Sequence, residues 1–148
     1  MLQKRSTLIK GIYHPTHPEK CRSDVRNIRF DSGWELTVLR KLDGSDTILE
    51  WAYEPIAIPY WNPVKCQRSN YYPDFWIKYR TQTGEIKQAI VEVKPLKETR
   101  PPMRKGKRFD EAMSTYRVNV AKWTAARQLC AQRGMEFLII TERYLNCI

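Results

Sequence analysis

Apolar positions along this chain follow two rhythms, and the switches between them divide it into elements. Trp34, Val38, Leu39 and Leu42 recur three or four residues apart, the period of one helical face. Ser32 suits an N-cap, Glu35 three residues later completes a capping-box pattern, and Asp43-Gly44 supplies a stop. The pattern predicts a helix that begins near Asp31 or Ser32 and turns Glu35 inward with its apolar stripe. Residues 48–60 switch to a β-like pattern through Ile48, Trp51, Tyr53, Ile56, Ile58 and Tyr60, interrupted by Pro55 and Pro59. Residues 62–70 read as a loop. Residues 71–80 form an aromatic-rich strand, 81–85 a hairpin loop around Gly84, and 86–94 the returning strand, which makes the two strands antiparallel neighbours.

Pro95 breaks that pattern. Pro101-Pro102 and Gly106 mark residues 96–108 as a loop. Phe109, Met113, Tyr116, Val120, Trp123, Ala126 and Cys130 then trace one face of a long helix, which Gly134 stops. Residues 135–141 are a short apolar run, best read as a buried strand. The order is helix-β-β-β-helix-β. A strand-helix-strand return implies a right-handed crossover, so an α/β fold with a mixed central sheet is expected. No internal repeat or low-complexity tract interrupts it.

The chain's 148 residues suit one domain. Its charge narrows the partners: 26 Lys and Arg against 16 Asp and Glu leave +10, which calls for a polyanion. No long apolar run suits a membrane span, and the first ten residues lack the apolar stretch of a secretory signal, so nucleic acid rather than a membrane is the expected partner. Residues 1–30 carry Lys4, Arg5, Lys10, Lys20, Arg22, Arg26 and Arg29 against Glu19 and Asp24. They read as a basic arm lying on the domain or reaching for DNA, with residues 31–148 as the single domain. Cys21, Cys66, Cys130 and Cys147 show no CxxC spacing and read as free thiols, Cys130 as plain core. His14, His17 and Cys21 lack a fourth ligand for zinc and read as an irregular surface segment.

Candidate chemistry sits on the hairpin. Side chains alternate along a strand, so Glu92 and Lys94 share a face, and Asp74 stands at a comparable distance from the turn on the partner strand. Two carboxylates and an ammonium then converge at one end of the sheet. Phosphodiester hydrolysis needs charge neutralised on the phosphate and a water activated. Oxygen ligands from Asp74 and Glu92, with the Val93 carbonyl, suit Mg²⁺ or Mn²⁺. Lys94 could orient or deprotonate the attacking water, or stabilise the transition-state charge. Glu35 could add a ligand or hold a second metal. A surface ladder of paired Glu92 and Lys94 is the plain alternative. Against it, Val91 and Val93 on one face and Ile90 on the other suit a central strand.

Asp74, Glu92 and Lys94 in this arrangement resemble the PD-(D/E)xK nuclease superfamily. The resemblance implies a restriction-endonuclease-like core, metal binding by Asp74 and Glu92, Lys94 as the catalytic lysine and Glu35 as the first-helix acid. The segments Ser32-Gly33-Trp34-Glu35, Tyr72-Pro73-Asp74-Phe75, Val91-Glu92-Val93-Lys94-Pro95-Leu96-Lys97-Glu98-Thr99, Ala121-Lys122-Trp123 and Ile140-Thr141-Glu142 are most similar to head completion nucleases of myovirus-type tailed phages. That family implies a metal-dependent DNA endonuclease at work in the host cytoplasm during assembly or in the virion, with phage head or neck proteins as partners. Endonuclease subunits of heteromeric transposons share the core but usually carry a further helical domain, and this sequence ends at Ile148. A non-catalytic head-completion protein and a simple DNA-binding module are the remaining rivals. For DNA contact the expected residues are Lys97, Arg100, Arg104, Lys105, Lys107 and Arg108, in the loop after the catalytic strand. Lys122 on the long helix, and less so Asn119, could face the scissile phosphate. Trp51, Trp76 and Trp123 are expected in the core.

Overall fold

Residues 10–104 and 106–144 are described in the computed structural model, and they open with a small antiparallel pair, β1 (Gly11–Ile12) and β2 (Arg29–Phe30). The segment between them is tied down at both ends. The Tyr13 hydroxyl and the backbone N–H groups of Thr16 and His17 donate to the Asp43 carboxylate at 2.6, 2.6 and 2.9 Å. Lys20 donates to the backbone carbonyls of Asp43 and Ser45, both at 2.8 Å. Cys21, Ile28 and Phe30 are buried in the main core. A boundary at residue 30 therefore cuts through that core. These apolar residues are too irregularly spaced to announce an element, which is why the segment reads as an arm in sequence. Residues 1–9 lie outside the described residues, as does Cys147.

Helix α1 spans Gly33–Gly44, and the Ser32 hydroxyl accepts from the Glu35 N–H at 3.2 Å. The reciprocal bond of the expected capping box goes one residue further back, from the Asp31 N–H to the Glu35 carboxylate at 2.8 Å. Strand β3 (Ile48–Tyr53) follows. Glu54 then takes a positive φ of 42° ahead of Pro55, and the chain leaves the sheet. The single β region expected over residues 48–60 is in fact two strands in two sheets. The second, β4 (Ile58–Asn62), pairs antiparallel with β5 (Gln67–Tyr71) as a separate ribbon.

Residues 67–70, expected as loop, thus form most of a strand. Their side chains are polar and mostly exposed, so no apolar alternation marks them. The turn fixes the pairing instead: Asn62 Oδ1 accepts from the Val64 and Lys65 N–H groups at 3.0 Å, and Cys66 takes a φ of 51°. The aromatic-rich strand is correspondingly shorter than expected. Strand β6 is Phe75–Arg80, returned by β7 (Ile86–Val93).

Helix α2 (Phe109–Gln132) carries the chain to β8 (Glu136–Ile140), which runs parallel to β7. Gly134, at φ 67°, ends the helix, and the Met135 N–H reaches back to the Cys130 carbonyl at 2.9 Å. The central sheet has the order β3-β6-β7-β8, antiparallel except for its last pair. Alternation gives it two apolar faces. Phe75, Ile77, Ala89, Val91 and Ile140 cluster with Val38, Leu39 and Leu42 of α1 and with Trp51. A second cluster joins Trp123 and Ala126 of α2 to Ile58, Tyr60 and Tyr71 of the ribbon, with Phe137 and Ile139 packed against it. Each such large side chain contributes about 1.5–3 kcal/mol on burial, so both layers hold the sheet. Trp51 and Trp123 are core as expected, whereas Trp76 is half-buried and donates to Gln88 at 3.2 Å.

Candidate active site

The site lies where β6 begins and β7 ends. Phe75 pairs with Val91, and one step further Asp74 comes opposite Glu92. Two backbone bonds fix Asp74: its carbonyl accepts from the Glu54 N–H at 2.9 Å, and its Oδ2 accepts from the Val93 N–H at 2.8 Å. The Lys94 N–H extends the parallel pairing by donating to the Ile140 carbonyl at 3.0 Å. With the backbone held on both sides, alternation brings Lys94 Nζ to 3.8 Å from Glu92 Oε1. The sequence expectation that Asp74, Glu92 and Lys94 converge at one end of the sheet is met in the structure.

The pair is electrostatically tense. Glu92 is only 6 % exposed. Burial pushes its carboxyl above the ordinary range, against opposing pulls from the Tyr71 hydroxyl, Lys94 and Lys122. Asp74 is raised too, first by burial and then by the Glu92 charge, with Glu35 adding to the effect. Two carboxylates held close in a desolvated pocket favour a cation between them.

Each carboxylate commits one oxygen to the protein. Asp74 Oδ2 takes the Val93 N–H, and Glu92 Oε2 takes the Tyr71 hydroxyl at 2.5 Å. Asp74 Oδ1 and Glu92 Oε1 remain, with the Val93 carbonyl near by in the chain. No group of three or more His, Cys, Asp or Glu side chains placed to share a metal occurs among the described residues. The donor set is thus sparse, which suits a hard cation that retains much of its own water and fits Mg²⁺ or Mn²⁺.

Glu35 does not join the other two acids as a third carboxylate. It lies with Lys94 on a cavity of about 630 Å³ that Ser32, Trp34, Lys97 and Arg100 also line. Its carboxylate is held there because it caps the Asp31 N–H at the start of α1. Burial still raises its pKa, and Lys94 pulls it back, so it feels the site's charge.

Among the expected DNA-contacting residues, Lys97 and Arg100 reach this cavity. They also line an adjoining cleft of about 590 Å³ with Arg108 and Asn119. Arg104 and Lys107 stand further out along the loop with Arg108 and Phe109. Lys105 lies outside the described residues. The start of the loop is a 3-10 turn, Leu96–Thr99, fastened by the Leu96 N–H donating to Glu142 at 2.8 Å.

Lys122 points from α2 toward the carboxylates. Its ammonium sits 5.9 Å from the centre of the Tyr60 ring and 5.8 Å from that of Tyr71. Burial and then Lys94 lower its pKa, while Glu92 raises it. The two tyrosines around it are what the sequence reading missed. Tyr60 fell inside the expected strand and Tyr71 at the edge of the next, and only the ribbon's pairing turns both toward α2. The adjacency of Tyr71 to the Pro73-Asp74 motif was the one available hint.

A family profile described as "TnsA-like endonuclease N terminal" matches residues 45–142. The chain belongs to this endonuclease family. The matched stretch includes Asp74, Glu92, Lys94 and Lys122 and begins beyond α1, so Glu35 lies outside it. The Head completion nuclease of Enterobacteria phage T4 is 33 % identical over 145 residues, covering 93 % of this chain and 94 % of that protein. The mixed sheet flanked by two helices is the restriction-endonuclease-like core of PD-(D/E)xK nucleases, and this endonuclease is of that type.

Proposed function

We propose that the chain is a divalent-metal-dependent endonuclease that hydrolyses phosphodiester bonds of DNA, and that it works in phage head completion after packaging. The observation that carries the chemistry is the convergence of half-buried Asp74 and buried Glu92, with Lys94 Nζ 3.8 Å from Glu92. Asp74, Glu92 and the Val93 carbonyl would hold the ion. When bound, Mg²⁺ or Mn²⁺ would neutralise charge on the phosphate and make a water more acidic.

The remaining work belongs to side chains. Lys94, beside Glu92 and lining the cavity, is placed to orient the attacking water or to offset charge on the phosphate's free oxygens. As the water oxygen bonds to phosphorus, one ester P–O bond breaks and the leaving sugar oxygen takes a proton. Lys122, held between two aromatic rings, adds a second positive group on the α2 side. Lys97, Arg100 and Arg108 would hold the flanking strand by its phosphates, with Arg104, Lys105 and Lys107 extending that track. Glu35 is read as an acid that tunes the pocket's charge and does not ligate the first ion.

The biological setting rests on the likeness to the phage T4 protein, which runs over nearly all of both chains. The transposon-type role is not favoured for that reason. Head or neck proteins would be partners, and the host cytoplasm during assembly, then the virion, the place of action. No described helix is long and apolar enough to cross a membrane.

A plasmid-cutting assay tests the activity. With Mn²⁺ or Mg²⁺ the parent should nick and linearise supercoiled DNA, and a chelator should stop it. Asp74→Ala and Lys94→Ala should each fall at least about 100-fold. Equal cutting by parent and variants would reject the assignment. DNA retention by all three without any cutting would instead favour the non-catalytic head-completion role.

A further inference from the structure

Glu92 is a buried carboxylate whose best hydrogen bond comes from outside its own hairpin. Tyr71, the last residue of β5, is 4 % exposed, and its ring belongs to the α2-side core. Its hydroxyl leaves that core and donates to Glu92 Oε2 at 2.5 Å. A phenylalanine would fill the same apolar volume, so packing alone does not account for the hydroxyl. The bond also selects one orientation of the carboxylate. With Oε2 held by Tyr71, Oε1 is turned toward Lys94. A tyrosine hydroxyl ordinarily keeps its proton up to about pH 10, so it is a donor to this carboxylate at neutral pH.

We infer that Tyr71 is a positioning residue of the active site, whose hydroxyl fixes the Glu92 carboxylate for a divalent cation while its ring, with Tyr60, brackets the Lys122 ammonium. This rests on the metal-site reading given above and adds to it a role for the β4–β5 ribbon. The ribbon lies outside the central sheet and reaches the site through Tyr60 and Tyr71. Ligating carboxylates depend on such outer partners for orientation, and losing one typically weakens metal affinity about 10–100-fold.

The fold supplies its own control. Tyr79 donates to Glu136 at 2.5 Å, the same pair of groups at the same distance, but at the other end of β6 from Asp74. Mn²⁺ binding to the full chain, read from loss of the free-ion electron paramagnetic resonance signal, compares the parent with Tyr71→Phe, Tyr79→Phe and Glu92→Gln. Thermal melts establish that each variant folds. Tyr71→Phe should bind Mn²⁺ about tenfold or more weakly. Its half-saturating Mn²⁺ for plasmid cutting should rise in parallel, with the KM for DNA near the parent's. Tyr79→Phe should match the parent throughout. Equal Mn²⁺ binding by parent and a folded Tyr71→Phe would overturn the inference, as would equal losses in both tyrosine variants. Mn²⁺ binding by Glu92→Gln as tight as the parent's would instead overturn the metal-site reading beneath it.

Discussion

Asp43 and Glu92 are both buried carboxylates, and their neighbours move them in opposite directions. Burial would raise Asp43, but hydrogen bonds from the Tyr13 hydroxyl and the Thr16 and His17 N–H groups outweigh it, and its pKa lies below the ordinary 3.8. For Glu92 the Tyr71 hydroxyl, Lys94 and Lys122 together do not outweigh burial, and the carboxyl stays raised. The first arrangement stabilises the fold; the second leaves a site better satisfied by a cation. A depressed carboxyl contributes stability above the unfolded-state value and loses it as pH falls through the folded-state one. Asp43→Asn should therefore cost roughly 2–3 kcal/mol near neutral pH, and the gap to the parent should shrink below about pH 4. Urea titrations at several pH values measure both, and a gap that widens in acid would contradict this role. Asp74, Glu92 and Lys94 were legible in sequence because alternation and hairpin register are properties of two adjacent segments. Asp43 was not: it reads as part of a helix stop, and its three donors lie 26 to 30 residues earlier in a segment without period.

Helix α1 and the β4–β5 ribbon show the same contrast between elements. The cap of α1 was legible as Ser32 with Glu35, and it also governs where Glu35 points, because the carboxylate that closes the cap is the one at the cavity edge. Ser32→Ala should lower stability by about 1 kcal/mol in urea titration and leave Mn²⁺ binding unchanged, since Glu35 forms no three-acid cluster with Asp74 and Glu92 among the described residues. A loss of Mn²⁺ affinity in that variant would put Glu35 back among the ligands. The ribbon escaped sequence reading because β5 presents Gln67, Arg68, Ser69 and Asn70, residues that ordinarily mark loops. It exists as a strand through pairing with β4 and packing on α2, both of which are tertiary facts.

At the scale of the molecule, the sheet gathers the acids and the segments around it gather the bases. The carboxylates sit at one end of β6 and β7. The 3-10 turn and loop that follow β7 carry Lys97, Arg100 and Arg108 along the neighbouring clefts, and α2 adds Lys122. A chain of net charge +10 thus holds its tensest pair of negative charges inside a basic rim. Such a rim draws a polyanion to a pocket that itself favours a cation. The helix-β-β-β-helix-β order was legible because long periodic elements announce themselves. The folding of residues 11–30 into the core was not, since tertiary contacts and no local period hold them. The most direct test is a crystal grown with Mn²⁺ and measured for its anomalous scattering. The ion should appear in contact with both Asp74 and Glu92, on the side of the sheet where Lys94 lies. A peak elsewhere, or none there at saturating Mn²⁺ with the two carboxylates turned apart, would contradict the central claim.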